Sequence, residues 1–244
     1  MQLSLNFGET PPAVADLRQR LLAAFGPFRS DTRHEPLDQL VKSMISSRTH
    51  DEDSQATYDR LKFRYPDWAD LASAPGEEVR DLLCPVTYPD EKADWLPAAL
   101  KQIAARSGSL SLEFLAAWPV ADALAWLVKL SGVGPKVAAA VLNFSRLKMR
   151  IMVVDTHVLR VAKRYGLVPD KCDAETASRL LMDMAPDAWT AGDFYELHWL
   201  MKRLGQMRCT AGWARCGACP VAAACARRDV PERTNVARLH VRPR

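Results

Sequence analysis

Nowhere in the 244 residues do 18 apolar residues follow one another, so no segment reads as a membrane-spanning helix. The opening stretch MQLSLNFGETPP lacks the basic and apolar regions of a secretory signal, and none is expected. There is no internal repeat and no low-complexity block. Strand signals are scarce: Ile151–Val154 is the one strand-like run, and it is short enough to be a buried connector. Of the six cysteines, four crowd into 17 residues near the C-terminus, and with no export signal they point to metal binding rather than to disulfides. The turn Gly132-Val133-Gly134 lacks the third glycine of a dinucleotide-binding fingerprint, because Val137 stands there. It also lacks the glycine spacing and the Ser or Thr of a P-loop.

A hydrophobic share of 48% supports a proper core, in one large domain or two small ones. Net charge is only +4, but it is unevenly spread. Asp51 to Leu100 holds 12 acidic and 5 basic residues. Leu197 to Arg228 holds 6 basic residues and no acidic one, and Arg146 to Arg164 holds 6 against Asp155 alone. Such asymmetry suits a face for a polyanion, although an ordinary solvated surface gives the same pattern.

Helical spacing of apolar residues predicts helices over Pro12–Phe25, from Pro36 to Ile45, and after a polar break at Ser46–His50. Asp51 is placed to cap the third helix. Trp68 and Leu71 fall in a turn-rich stretch, and Glu77–Leu83 reads as a short helix. Lys92–Ala105 is amphipathic with Trp95, Leu96, Leu100 and Ile103 inward. Leu110–Trp118 and Val120–Leu130 follow, then Thr156–Tyr165, Ala174–Met184 and Gly192–Gln206. A frayed segment is expected at the start and a loose basic tail after Asp229. The chain therefore reads as all-α, with about ten helices.

The stretch Leu130–Leu142 organises the rest. Ser131-Gly132-Val133-Gly134 breaks one helix and Pro135 opens another. The N–H groups of Val133, Gly134 and Lys136, at the positive end of the new helix, suit a phosphate. The missing side chains at Gly132 and Gly134 let a nucleic-acid backbone come close. A purely structural helix end would have the same sequence. Near the C-terminus the spacing is Cys209-x6-Cys216-x2-Cys219-x5-Cys225. One C-x-x-C pair is fewer than structural zinc usually presents, and four cysteines on one loop can wrap a cubane; spacing alone leaves zinc and iron–sulfur both open. Cys84 and Cys172 read as small core residues.

The hairpin GVGPK, the sequence Val154-Asp155-Thr156-His157 and the cysteine spacing occur together and in this order. That combination resembles the endonuclease III family of helix–hairpin–helix DNA glycosylases and AP lyases, over roughly Pro36 to Cys225. The resemblance implies a helical barrel over residues 30–150 carrying the helix–hairpin–helix. It pairs residues 1–29 with 151–244 in a second helical domain, with a DNA cleft between the two. It implies a [4Fe-4S] cluster on Cys209, Cys216, Cys219 and Cys225, Lys136 as nucleophile and Asp155 as catalytic carboxylate. His157 would contact a phosphate or satisfy a buried hydrogen bond.

The chemistry agrees with that assignment. Breaking the C–N bond at C1′ of deoxyribose makes the sugar cationic, and a carboxylate stabilises that charge. A lysine captures C1′ only as a neutral amine, so its pKa must fall from about 10.4. The helix N-terminus around Lys136 works in that direction. Asp155 also sits where a helix cap is needed. The chain departs from the family where Arg48 replaces the usual glutamine, a side chain that fills the gap left by the flipped nucleotide. A surface ion pair of Arg48 with Asp51 or Glu52 is the alternative. The loop from Pro85 to Lys92 also looks longer than usual.

The expected activity is removal of oxidised pyrimidines from duplex DNA with strand cleavage at the abasic site. The expected partner is double-stranded DNA with a damaged base or abasic site, bound by a monomer in the cytoplasm at the nucleoid. A mismatch glycosylase acting on adenine or thymine and a non-catalytic iron–sulfur DNA-binding module are the alternatives.

Overall fold

The computed structural model describes residues 13–28, 32–228 and 230. The frayed start and the basic tail expected from the sequence lie outside them. In chain order the α-helices are α1 (Ala13–Phe25), α2 (Pro36–Ile45), α3 (Asp51–Arg64), α4 (Trp68–Ser73), α5 (Gly76–Leu83), α6 (Pro89–Ser107), α7 (Val120–Leu127), α8 (Pro135–Phe144), α9 (Thr156–Tyr165), α10 (Ala174–Asp183) and α11 (Ala191–Met207). Two short 3-10 turns, Glu113–Ala117 and Cys216–Ala218, complete them. Among the described residues there is no strand, only isolated bridges at His34–Ser145 and Cys209–Ala214, so the chain is all-α. Among the same residues no helix is long and apolar enough to cross a membrane.

The chain divides into two compact units. The central unit comprises Phe28–Val153 with Asp187–Glu196. The terminal unit comprises the described residues of Met1–Pro27, Val154–Pro186 and Leu197–Arg244.

In the central unit α8 lies at the core. Residues Val137 to Asn143 are all buried. Ala138, Ala139 and Ala140 are small enough to let α2 and α7 pack directly on α8. The inward stripes of α2 (Leu40, Val41, Ile45) and α6 (Leu96, Leu100, Ile103) complete the core. Each such side chain contributes about 1.5–3 kcal/mol on burial. Asn143 Nδ2 donates to Met149 O and Ala191 O, both at 3.0 Å, and Arg150 Nε donates to Trp189 O at 2.9 Å. These bonds hold residues 187–196 in this unit.

Several local expectations change. Trp68 and Leu71 are not in a turn but on α4, which Asp67 caps by accepting from Ala69 N at 2.9 Å. His50 takes the capping position of α3, and Asp51 is its first residue, where a carboxylate meets the positive helix end. Trp95 is 41% exposed, because the buried stripe of α6 runs through Leu96, one residue on. Cys84 is exposed rather than buried, since it follows α5 between the inward Leu83 and Val86.

In the terminal unit Val14, Leu17 and Leu21 of α1 are buried, and Gly26 ends that helix at φ +74°. Tyr165 on α9 donates from its hydroxyl to Asp16 on α1 at 3.3 Å. Val158, Val161 and Ala162 form the inward face of α9, and Leu197, Leu200, Met201 and Leu204 that of α11. Ile151–Val154, which runs from the end of the central unit into the terminal one, is buried without strand pairing and is a connector.

Candidate functional site

Within the central unit, the hairpin between α7 and α8 places the two glycines in different circumstances. Gly132 has φ +71°, and a Cβ there would lie 2.7 Å from Trp95 Cβ. Its lack of a side chain is therefore required by the protein's own packing. Gly134 caps α8 at φ −89°, a value open to any residue, and a Cβ there would meet nothing within 4 Å. Gln102 on α6 holds the hairpin from both sides: its Oε1 accepts from Ser131 N at 2.8 Å and its Nε2 donates to Ser131 Oγ at 2.9 Å. Val133 is 5% exposed and its N–H donates to Leu130 O at 3.2 Å. The sequence-based expectation that this N–H faces outward is thus corrected; it closes the turn instead. Lys136 is the second residue of α8 and half-buried.

Also in the central unit, Arg48 sits at φ +58°, in the left-handed region that non-glycine residues rarely take. It is exposed, and its guanidinium donates to the Tyr88 hydroxyl at 3.3 Å with the ring centroid 5.6 Å away. Tyr88, at φ +57°, precedes Pro89 at the start of α6 and is 45% exposed. Beneath them lies Lys92, only 2% exposed. Its Nζ donates to Ile45 O (2.7 Å), Ser47 O (2.9 Å) and Thr49 Oγ1 (3.0 Å). Burial first, then repulsion from Lys136, brings the Lys92 ammonium down to about 8. Nothing in the sequence flags Lys92: a lysine in the first turn of an amphipathic helix reads as solvated.

In the terminal unit Asp155 caps α9, accepting from Val158 N at 2.8 Å. Burial works to raise its carboxyl, but the charge of His198, the Val158 N–H, His157 and Lys202 outweigh burial and hold it below the usual carboxylate value. His198 is 2% exposed and was not singled out by the sequence, where a histidine on an apolar helix face reads as core. His157 Nδ1 meets Arg160 Nη2 at 3.1 Å, and a Cβ at Gly205 would lie 2.9 Å from His157 Cβ. His157 is thus tied into the packing of α9 against α11.

The four cysteines of the C-terminal run line one pocket in this unit, together with Arg164, Tyr165, Leu204 and Val221. Two arginines of α9 secure the loop. Arg160 Nε donates to Cys209 O at 2.7 Å, and Arg164, 6% exposed, donates to Thr210 O (2.6 Å) and Ala211 O (3.1 Å). Donors also face sulfur: Arg164 Nη1 lies 3.6 Å from Cys209 Sγ, and Arg227 N lies 3.4 Å from Cys225 Sγ. Burial raises the Cys219 and Cys225 thiols, and repulsion among the cysteines adds to it, so a cation is needed to hold them as thiolates. Among the described residues no three His, Cys, Asp or Glu side chains converge on a single ion position.

An all-α chain with a helix–hairpin–helix whose second helix opens on an uncovered glycine offers an anion a helix N-terminus. Comparison makes the assignment specific. Residues 41–187 match the model of the HhH-GPD superfamily base excision DNA repair proteins. The chain belongs to this superfamily. It is 28% identical over 176 residues to endonuclease III of Thermotoga maritima, covering 72% of this chain and 77% of that protein. It is 30% identical over 191 residues to "Putative DNA glycosylase At3g47830" of Arabidopsis thaliana, covering 72% of this chain but 65% of that one. Against Protein ROS1A of Oryza sativa it spans 10% of the longer protein, at 27% identity. The fold matches that of an endonuclease III–DNA covalent intermediate with a TM-score of 0.72 at 22% identity, covering 87% of this chain and 93% of that one.

Proposed function

We propose that the chain is a bifunctional DNA glycosylase and AP lyase that removes oxidised pyrimidines from duplex DNA. The observation that carries this reading is the start of α8. Gly134 leaves space that no part of the described chain fills, and Lys136 stands two residues on. A phosphate at that N-terminus would set the lysine against an extrahelical nucleotide. Lys136 Nζ attacks C1′ and the C1′–N bond breaks, the base leaving with the electron pair and taking a proton from solvent. The amine gives up one proton and the C1′–O4′ bond breaks, O4′ taking a proton and C1′ becoming an iminium of Lys136. Loss of a C2′ proton then expels the 3′ phosphate and nicks the strand. Asp155, held ionised by its neighbours, is the carboxylate that stabilises the cationic sugar. Relatives support the lyase step: the Arabidopsis protein DNA glycosylase/AP lyase ROS1 is 27% identical over 172 residues.

The cysteine pocket would hold a [4Fe-4S] cluster. The four cysteines border one pocket and N–H donors face two of the sulfurs; four thiolates are the ligand set a cubane takes. When bound, the group orders the loop carrying Arg208, Arg215 and Arg227, which would grip the DNA backbone. The protein's own part is the clamp from Arg160 and Arg164.

Arg48 would enter the duplex where the nucleotide leaves and face the orphaned base. A guanidinium pairs best with O6 and N7 of guanine. That also suits a thymine glycosylase acting opposite guanine, so a thymine–guanine duplex belongs in the test. The experiment is strand cleavage across duplexes bearing single lesions. Nicking at oxidised pyrimidines, faster opposite guanine than opposite adenine by roughly tenfold, is expected. Nicking at thymine opposite guanine alone would replace the substrate class, and no nicking at any lesion or abasic site would overturn the reading.

A further inference from the structure

Beneath Arg48 a buried cation, Lys92 of α6, holds the loop that follows α2. The residues on either side of Arg48 are Ser47 and Thr49, and Lys92 Nζ holds both, at 2.9 and 3.0 Å, while a third bond to Ile45 O at 2.7 Å anchors it to the end of α2. An ammonium has three N–H donors, and each has an acceptor here. From the loop before α6, Thr87 Oγ1 donates to Arg48 O at 2.9 Å and Thr87 N donates to Thr49 Oγ1 at 3.2 Å. Arg48 itself is in a left-handed conformation, which a free loop would relax. Its side chain then rests on Tyr88, the residue after Thr87.

We propose that Lys92 is a positioning residue: by holding the Ser47 carbonyl on one side of Arg48 and the Thr49 hydroxyl on the other it presents the guanidinium to the base opposite the lesion. This rests on the reading of Arg48 given above. Lys92 touches neither base nor sugar; it acts through Arg48. Burial, and after it repulsion from Lys136, brings Lys92 down to about 8, which leaves it an ammonium at pH 7 with all three bonds in place.

The test uses the full chain and Lys92→Met, which keeps the length of the side chain and removes its donors. Trypsin reads the pinning without any need for activity. Cleavage after exposed Arg48, compared with cleavage after Lys148 in another exposed turn, should rise at least about tenfold, the change expected when a charged hydrogen bond is lost. Single-turnover rates read the function. Lys92→Met should bring the guanine-to-adenine ratio to within about twofold of one, as Arg48→Ala does, and the double variant should be no worse than either single one. Thr49→Val removes one acceptor and serves, with a smaller effect in the same direction, if Lys92→Met does not fold. Selective trypsin cleavage at Arg48 together with non-additive loss of base preference supports the proposal. Unchanged cleavage at Arg48, an intact ratio in Lys92→Met, or additive losses overturns it. If Arg48→Ala leaves the ratio untouched while abasic DNA is still cleaved, the lyase reading stands and the role of Lys92 falls. If no duplex is cleaved by the parent, the glycosylase reading fails by itself, and the trypsin comparison still decides whether Lys92 pins the turn.

Discussion

The two hairpin glycines should respond to alanine in opposite ways. At Gly132 the substitution forces a side chain into the left-handed region, at about 1–2 kcal/mol. It also drives a Cβ to 2.7 Å from Trp95 Cβ and 3.0 Å from Met44 Cε. Overpacking of that kind costs about 1–3 kcal/mol. Together they predict a loss of about 2–5 kcal/mol, or roughly 4–20 °C in Tm for a chain of this size. At Gly134 the backbone already suits alanine and the space is open. The cost is that of a poorer cap, about 0.5–1 kcal/mol, yet the methyl group stands where the DNA backbone is proposed to lie. Thermal unfolding and equilibrium binding to a duplex with a stable abasic analogue separate the two. Gly132→Ala should melt early and, when folded, bind normally; Gly134→Ala should melt within a few degrees of the parent and bind about tenfold more weakly, as for one lost backbone–phosphate contact of about 1.4 kcal/mol. Tight binding by Gly134→Ala would refute the placement of phosphate at α8. An unchanged Tm for Gly132→Ala would refute the packing argument.

Asp155→Asn should keep the α9 cap while slowing base release by two or more orders of magnitude, on the scale of losing one charge-stabilising group; unchanged single-turnover release would reduce Asp155 to a cap. Because the folded Asp155 carboxyl is held below its unfolded value, its contribution to stability is present above about pH 4 and is lost as pH falls through the lower folded value. Urea midpoints of parent and Asp155→Asn should therefore keep a constant gap above about pH 4 and converge as pH falls below it, and a gap unchanged at lower pH would contradict the shift. Protein purified without oxygen should be yellow-brown with about four irons per chain, and Cys216→Ser should lower solubility more than specific activity. A colourless preparation with one zinc would sink the cluster.

The hairpin and α9 were legible because each combines a helix-breaking or capping residue with strong periodicity: Gly132 and Pro135 in one case, Asp155 in the other. Helix α4 was not, since six residues are too few for a period to show and its signal is the single cap Asp67. Counting apolar residues places Trp95 inward, where it is not. Leu96, Leu100 and Ile103 already fill the buried stripe, and Trp95 lies at its edge against Gly132. Its place in a glycine turn points the Val133 N–H outward, but the turn closes on Leu130 O. Lys92 and His198 stayed hidden for a common reason. Their burial is decided by partners far along the chain, Ile45 O for Lys92 and the Asp155 charge for His198, which no local pattern encodes.

The central claim is that the Lys136 amine becomes covalently bonded to C1′. Incubating the parent with an abasic duplex in borohydride reduces the imine to a stable amine, and the protein–DNA adduct is read on a denaturing gel. The account predicts an adduct with the parent and none with Lys136→Ala, while the variant's affinity for the same duplex changes by no more than a few fold, because many phosphate contacts share the binding. An adduct of undiminished yield with Lys136→Ala would assign the chemistry to another amine and contradict the account.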